Sequence, residues 1–534
     1  VSGCAEALYF IARAGPALAK RVAEAPGALP AMVAVVTAGG DAALHCSTAL
    51  ATMVSSCAAA LDGIARADPA LAQLVAEAPG ALPALVAALA GGGEAATNCA
   101  GALGDIAMAR PELAKRVAEA PGALPALVAG VTAGCHAASD CSTALADTAF
   151  NCSSVLGCIA RVGPGLAQRV AEAPGALPAL VAAVACDGEA ATSSAAALAD
   201  MVSKCATALT NIASAGPALA KGVAEAPGAL PALVAAVAAG GQAATDCAEA
   251  LFHIVRADPA LAKCVADAPR ALEALIAAVT AGGHATWDCS TAPAAMVASC
   301  AGALDGIARA DPALAQRVAL EPGALPSLVA AVAAGGEAAT ACAEPLRHIA
   351  RVGPGLGWRW AKEPWSLQPL FAAVAGGGSG AEWSACALAL VADADPGLAQ
   401  LVAETPGTLP ALAAATAAGR SMFSVKYAAL SAIALAEADP GLAQCVAEAP
   451  GVLPALVAAI ARGGAAALNS KGAMAAISCA DQPLAQRVAE APGALPALIA
   501  TLASGGDVAS NSAEGLAAIA KAGRGLALRV AMPP

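Results

Sequence analysis

The side chains best suited to binding chemistry are gathered in one part of this chain. Four of its five tryptophans fall within 26 residues, although aromatic residues make up only 2% of the sequence. Arginine, lysine and histidine accompany them. Tryptophan, tyrosine and arginine dominate the energetics of protein–protein interfaces, so residues 347–383 and 420–427 are predicted to bind a partner. The predicted residues are Arg347, His348, Arg351, Trp358, Arg359, Trp360, Lys362, Trp365, Trp383, Arg420, Phe423, Lys426 and Tyr427.

Cysteine is the next candidate, because the chain contains 18 of these residues. No two are arranged as Cys-x-x-Cys, the spacing typical of many metal and redox sites. Most occupy one recurring position, and free cysteine packs there as a small hydrophobic residue. We therefore predict reduced core cysteines and an intracellular reducing compartment, such as the cytosol, a cilium or an organelle matrix. The recurring cysteines are Cys4, Cys57, Cys99, Cys152, Cys205, Cys247, Cys300 and Cys342.

Catalytic and metal-binding patterns are not found in the sequence. Histidine occurs five times, and none is predicted to share a metal ion with a second ligand at suitable spacing. There is no nucleophile elbow, phosphate-binding loop, zinc-protease motif or dinucleotide-binding motif. The glycine runs at 91–93 and 376–378 follow predicted helices and mark their ends. The sequence predicts no catalytic residue, no cofactor and no metal site, so the chain is not expected to be an enzyme.

The charge of the chain and the arrangement of its apolar residues argue against nucleic-acid binding and against membrane insertion. The net charge is −12 with only 28 lysines and arginines, whereas nucleic-acid binding needs clustered cations, so nucleic acid is not expected to be the main partner. Apolar residues make up 59% of the chain. Proline and glycine nevertheless interrupt the longest uncharged stretches, such as 226–245, before the ~20 helical residues that a membrane span requires. Protein partners and no membrane insertion are expected.

The chain is built from one repeated segment. The sequence PGALP or a variant occurs eleven times, at intervals of 42 or 53 residues with one interval of 44. A fixed period of this size is typical of a solenoid, in which each repeat buries its apolar faces against its neighbours. The prolines that mark the repeats are Pro26, Pro79, Pro121, Pro174, Pro227, Pro269, Pro322, Pro364, Pro406, Pro450 and Pro492.

Each repeat is predicted to contain three helices. A short first helix begins at a proline and ends at a Pro-Gly break. A second helix runs through LPALVAAV and stops at Gly-Gly. The third is the longest, as in residues 94–109. There Cys99, Leu103 and Ile106 recur at i, i+4 and i+7, which is the spacing of one buried helix face.

This 42-residue triplet resembles the armadillo repeat in its PGALPALV segment, the ALxxIA of its third helix and its proline-led first helix. HEAT repeats match less well, because they have two helices. The resemblance implies an all-α, right-handed α-solenoid of armadillo-like three-helix repeats, whose third helices line a concave, protein-binding face. It covers residues 1–534 as one solenoid: a partial leading repeat (1–25), regular repeats (26–363), divergent aromatic and basic repeats (364–449) and C-terminal repeats (450–534).

The chain departs from the peptide-binding members of that family. Those proteins hold an extended peptide with asparagine and tryptophan side chains on their third helices. Only Asn211 occupies the equivalent asparagine position here, and no tryptophan stands four residues earlier in the repeats compared. That mode of peptide binding is therefore not expected. The tryptophans of the divergent repeats also allow a second interpretation, in which a drifted repeat fills its own core with them.

The four 53-residue intervals contain an 11-residue insert that copies the segment after it. CSTALATMVSS at 46–56, for example, precedes CAAALDGIARA at 57–67. Eleven residues make about three helical turns, so the apolar stripe stays on one face. We predict that the third helix, or the segment just before it, is about three turns longer in these repeats. Pro293 should kink or split the last of the four.

Together these features predict a non-catalytic protein-interaction scaffold or adaptor that serves as a structural subunit of a larger, multi-subunit assembly and binds its partners through the concave third-helix surface. Residues 1–25 begin with a third helix and a first helix, so an apolar end is expected to be covered by further chain or by a neighbouring protein. The alternative function is an RNA-associated helical-repeat subunit of a ribonucleoprotein particle. In that case the basic residues at 347–362 would contact RNA without reading its sequence.

Overall fold

The computed structural model describes residues 2–41, 48–137, 143–186, 195–284, 291–335, 337–351, 369–370, 372–373, 384, 387–388, 392, 396–404, 408–418, 429, 432–503 and 508–531. These residues form helices and short turns, and contain no strand. The chain divides into two compact units, Val1–Leu275 and Ile276–Pro534, and the division falls inside one helix. The predicted all-α solenoid is confirmed.

The helices follow one another in a repeating order of first, second and third. Unit 1 contains α1 (Ser2–Arg13), α2 (Pro16–Glu24), α3 (Ala28–Asp41), α4 (Thr48–Ala67), α5 (Pro69–Glu77), α6 (Ala81–Gly91), α7 (Glu94–Ala109), α8 (Pro111–Glu119), α9 (Ala123–Ala137), α10 (Thr143–Val162), α11 (Pro164–Glu172), α12 (Ala176–Ala185), α13 (Ala195–Ser214), α14 (Pro217–Glu225), α15 (Ala229–Ala239), α16 (Gln242–Ala257) and α17 (Pro259–Asp267). Helix α18 (Ala271–His284) contains the division between the units. Unit 2 contains α19 (Thr291–Ala310), α20 (Pro312–Leu320), α21 (Ala324–Ala334), α22 (Glu337–Arg351), α23 (Pro396–Glu404), α24 (Thr408–Ala418), α25 (Pro440–Glu448), α26 (Val452–Arg462), α27 (Gly464–Ala480), α28 (Gln482–Glu490), α29 (Ala494–Ala503), α30 (Val508–Ala522) and α31 (Arg524–Ala531).

Local sequence signals set the ends of the first helices. In α5, Pro69 occupies the first turn, where its missing N–H leaves no bond unmade, and the Asp68 carboxylate accepts a hydrogen bond from the Ala70 N–H at 2.7 Å. The turn into α6 needs a left-handed residue, which Gly80 supplies with φ 74°. Arg270 takes the same position before α18 with φ 58°, the one non-glycine residue with positive φ among those described.

The core of each repeat is made of small apolar side chains. Cys99, Leu103 and Ile106 of α7 are fully buried, which confirms the predicted buried face of the third helix. In unit 1, α4 packs against α7, α7 against α10 and α10 against α13, so the third helices form one continuous layer. Arginines of the first helices join successive repeats as well: Arg116 of α8 donates to the Ala76 carbonyl at 2.9 Å.

The described part of the third helix is about one turn longer in the four repeats with inserts. Helices α4, α10, α13 and α19 each have 20 residues, against 16 in α7 and α16. Three extra turns in the third helix or in the segment just before it stay a prediction. The second helix is longer in three of these repeats: α3, α9 and α18 have 14 or 15 residues, against 11 in α6. The rest of each insert lies outside the described residues.

Helix α19 continues through Pro293, from Thr291 to Ala310, so the prediction that this proline splits the helix is wrong. Residues 285–290 lie outside the described part of the chain. Helix α22 also contains a proline, Pro345.

Membrane-spanning potential was assessed over the described helices. None of them alone has the length and apolar composition that a membrane crossing requires. Six pairs of consecutive first and second helices reach that length and composition only when joined, and each pair is bent by 82–91°.

Candidate functional site

The aromatic and basic patch predicted from the sequence lies largely outside the described residues. Arg347 and Arg351 belong to α22, and among the predicted residues only the His348 side chain is described. The prediction that this patch binds a partner therefore stays a prediction. The residues outside the described part are Trp358, Arg359, Trp360, Lys362, Trp365, Trp383, Arg420, Phe423, Lys426 and Tyr427.

A groove on the third helices of unit 1 gathers polar side chains that the sequence analysis did not single out. Helices α1, α4, α7 and α10 lie side by side and border an open cavity of about 340 Å³. Both charge signs, two asparagines and two aromatic rings line it. We call this cavity the third-helix groove; its lining residues are Tyr9, Arg13, Asp62, Arg66, Thr97, Asn98, Gly101, Asp147, Phe150 and Asn151.

One arginine forms ion pairs with two aspartates at the third-helix groove. The Arg66 guanidinium donates to both carboxylate oxygens of Asp62, at 3.1 and 2.9 Å, and its Nε donates to Asp105 at 3.1 Å. The carboxylates are mostly shielded, with 15% and 13% of their side chains exposed, while Arg66 is 59% exposed. One cation thus faces two carboxylates from neighbouring helices.

Burial decides the protonation of this network. Loss of solvent raises the pKa of Asp62 to about 7, because burial and the nearby Asp105 carboxylate outweigh the attraction of Arg66. Burial also raises the pKa of Asp105. The two carboxylates therefore hold a shared proton near neutral pH, which they release as the pH rises.

A glycine makes room for this arrangement. A Cβ atom at Gly101 would lie 2.6 Å from Oδ1 of Asp62, closer than non-bonded atoms approach. The absence of a side chain at this position of α7 lets the carboxylate of α4 reach the groove floor beside Arg66.

Asparagines tie the groove helices together. Nδ2 of Asn98 donates to the Ser55 carbonyl at 3.3 Å, and Nδ2 of Asn151 donates to the Thr97 carbonyl at 3.4 Å. Each of these two asparagines directly precedes the buried cysteine of its repeat. This shared position in the repeat is the sequence feature from which they could have been predicted. Asn211, at the family's asparagine position, donates to the Gly157 carbonyl at 3.1 Å. All three amides join a third helix to the one before it.

Cations lie over aromatic rings along the same helices of unit 1. Arg13 lies 5.5 Å from the centre of the Tyr9 ring and also donates a hydrogen bond to its hydroxyl. Lys204 lies 5.8 Å from the Phe150 ring. A third such pair, Arg256 over Phe252, occurs in α16 at 5.2 Å. Such pairs hold long cationic side chains in place, as preformed binding surfaces require.

A second polar cluster lies in unit 2 and corrects the sequence analysis. His348 was expected to have no other metal ligand at suitable spacing, but Glu344 stands one helical turn before it, and Asp305 of α19 lies opposite. One ligand atom from each of the three side chains lies within 4.8 Å of the others. The Glu344–His348 spacing was readable in the sequence. Asp305 was not predicted to join this pair, because it belongs to the preceding repeat.

Comparisons with known proteins agree with the fold. No protein-family model matches the sequence, and a search of curated proteins gave no match. The structure is similar to the crystal structure of an engineered protein, with a TM-score of 0.63 and 19% identity over 82% of this chain and 98% of that one. It is also similar to a chain from a study of the cadherin–β-catenin interaction, with a TM-score of 0.56 and 14% identity over 98% of this chain and 96% of that one.

A designed armadillo repeat protein aligns over 52% of this chain and 99% of its own length, with 22% identity and a TM-score of 0.40. The argument for the fold rests on the repeats themselves. Complete repeats such as α5–α7 contain a proline-led first helix, a second helix bent sharply away from it and a long third helix. With these three-helix repeats stacked through their third helices, the chain has the armadillo-repeat fold.

Proposed function

We propose that this chain is a non-catalytic protein-binding scaffold that holds a segment of a partner protein in the third-helix groove. The observation that carries the proposal is the preformed polar lining. Hydrogen bonds and cation–aromatic pairs already fix Asn98, Asn151 and Arg13. Because these side chains are ordered in advance, little conformational entropy is lost when a partner docks.

The dimensions and charges of the groove favour an extended segment with mixed charge. Four adjacent helices at spacings of about 8–10 Å span about 24–30 Å, which matches roughly eight extended residues at about 3.3 Å each. Arg13 is exposed at one side of the groove and Asp147 at the other, so a segment with an acidic and a basic residue complements both.

A peptide-display selection tests the proposal. Eight- to twelve-residue peptides selected on the full chain should lose at least about tenfold in affinity, or 1.4 kcal/mol, for the double variant Arg13→Glu/Asp147→Lys. The matched control reverses one charge of each sign on α8, Lys115→Glu/Glu119→Lys, where both side chains are at least half exposed. Peptides that bind the groove variant and the control equally well would contradict a binding role for the groove.

We further propose that the chain works as a subunit of a multi-subunit complex in an intracellular reducing compartment. Its buried thiols support the second part: burial raises the pKa of Cys57 to about 11 and that of Cys99 to about 12, as expected for cysteines kept as core thiols. Native-source protein should elute well above its 50.7 kDa chain mass. Elution as a monomer, or thiols recovered as disulfides, would contradict these two parts respectively.

A further inference from the structure

The cluster in unit 2 brings three metal-binding side chains together from two adjacent helices. Glu344 and His348 lie four residues apart on α22 and therefore share one helix face. Asp305 comes from α19, which packs against α22. Its Oδ1 atom is screened from solvent and lies 3.6 Å from Nε2 of His348. The side chains of Asp305 and His348 are 24% and 21% exposed, so the cluster is half-buried but open to small ions.

We propose that Asp305, Glu344 and His348 bind a divalent transition-metal ion, with Zn²⁺ as the best fit. An imidazole nitrogen and two carboxylate oxygens are ligands that Zn²⁺ accepts at bond lengths of about 2.0–2.2 Å. Ligand atoms around a tetrahedral ion then lie about 3.4 Å apart. The histidine–aspartate separation already meets this value, and side-chain rotation brings in the remaining ligand atom from at most 4.8 Å.

Charge and coordination number define what this site offers. Two carboxylates and a neutral imidazole together balance the charge of a divalent cation. Three protein ligands leave one tetrahedral position open for water or for a side chain of another protein. The ion also joins α19 to α22, so its binding should stabilise the packing of two neighbouring repeats.

The chain contains a matched site that lacks one ligand. Glu249 and His253 of α16 repeat the same four-residue spacing, with Oε1 and Nε2 3.7 Å apart. The position equivalent to Asp305, 95 residues earlier as for the other two residues, is Thr210. A hydroxyl is a far weaker metal ligand than a carboxylate, so this pair alone should bind the ion weakly. It serves as an internal control for non-specific binding by a glutamate–histidine pair.

Cobalt binding to the full chain tests the proposal. All solvent-accessible cysteines are first blocked with N-ethylmaleimide, and metals are then removed with a chelator. Among the described cysteines, the exposed ones are Cys4, Cys264, Cys445 and Cys479, and Cys135, Cys158 and Cys186 are partly exposed. The chain should then bind one equivalent of Co²⁺, with visible d–d absorption and no thiolate charge-transfer band, and Zn²⁺ should displace it. Asp305→Asn and His348→Gln should each weaken binding at least tenfold, whereas the control His253→Gln should leave it unchanged.

Three results would overturn the proposal. Binding that survives His348→Gln unchanged would place the ion elsewhere, and so would a loss of binding in His253→Gln. Failure of the blocked wild-type chain to bind cobalt would show that the cluster is only a set of polar contacts between α19 and α22. Helix content from circular dichroism shows whether each variant folds. The near-isosteric Asp305→Asn keeps the test valid if His348→Gln does not fold.

Discussion

The same seven residues, LDGIARA, end the third helix at 61–67 in α4 and at 304–310 in α19, yet the two copies lie in different chemical surroundings. In the first copy, Asp62 shares Arg66 with Asp105 of the next third helix. In the second copy, Asp305 faces a histidine and a glutamate of the next third helix. Identical local sequence therefore yields two carboxylates around one arginine in one place and a histidine with two carboxylates in the other.

The difference comes from the neighbouring repeat. Asp105 and His348 stand at equivalent positions, each 43 residues after the aspartate of the preceding copy. Gly101 and Glu344 are equivalent in the same way, and they decide whether space or a second carboxylate lies beside that aspartate. In a repeat protein, the sequence of one repeat determines its helices, while the side chains of the next repeat determine the chemistry at their shared surface.

The largest expected effect tests what the two copies share. Ile64 and Ile307 occupy the same position in LDGIARA, and both are fully buried. Ile64→Ala and Ile307→Ala should each destabilise their own unit by about 2–5 kcal/mol, because each leaves a cavity between packed helices. Urea unfolding with hydrogen exchange resolved by segment measures this. The control Met108→Ala, at a side chain 52% exposed, should change stability by less than about 0.5 kcal/mol. Unequal losses for the two isoleucines would contradict an equivalent core.

A smaller effect tests the carboxylate pair of the first copy. Because the folded chain raises the pKa of Asp62 from 3.8 to about 7, folding favours the protonated acid. The contribution of this group to stability is present below about pH 4 and is lost as the pH rises through about 7. Asp62→Asn removes the ionisable group, so at pH 8 it should stabilise unit 1 by on the order of 2–4 kcal/mol over wild type. Below pH 4 the two proteins should be nearly equal.

Urea unfolding of unit 1 at pH 4, 6 and 8 measures that dependence. The matched control is Asp305→Asn, the same substitution in the second copy of LDGIARA, which should leave the pH dependence of unit 1 intact. If wild type and Asp62→Asn lose stability in parallel between pH 4 and 8, the shared proton does not lie on this carboxylate.

Repeat period and helix faces could be predicted from the sequence, because they depend on local spacing. The proline and glycine positions predicted the three helices of each repeat, and Cys99, Leu103 and Ile106 predicted the buried face of α7. The inserts were predicted less well. Eleven extra residues keep the helical phase, but phase alone does not determine which element they lengthen, and the segment directly before α4 lies outside the described residues.

The groove and the metal-ligand cluster were not predicted, for a different reason. Both depend on which side chains of successive third helices face each other, as with Arg66 and Asp105, which lie 39 residues apart in the chain. The asparagines and aspartates involved are common surface residues when each repeat is considered alone. The tryptophans at 358–383 were conspicuous by type, whereas Asp305 becomes conspicuous only when its repeat is aligned in register with the next.

The last prediction would convert one site into the other. Thr210→Asp should give the Glu249–His253 pair the third carboxylate that Asp305 supplies in unit 2, so the thiol-blocked chain should bind two equivalents of Co²⁺ instead of one. Without metal, Thr210→Asp should destabilise unit 1, because it removes the hydrogen bond from the Thr210 hydroxyl to the Asp246 carbonyl at 2.7 Å and places a carboxylate at a buried position. Co²⁺ at a free concentration 100 times Kd should then stabilise the variant by about 2.7 kcal/mol over its metal-free form.

Equilibrium dialysis and thermal unfolding, each with and without Co²⁺, measure the two parts of this prediction. Ser214→Asp is the control, because it adds the same charge one turn further along α13 at an exposed position. A second equivalent in Thr210→Asp but not in Ser214→Asp would show that a single residue from the preceding repeat decides whether a glutamate–histidine pair holds a metal ion. One equivalent in both folded variants would mean that the two copies differ by more than that residue, since the helix spacing and the other two ligands are already the same.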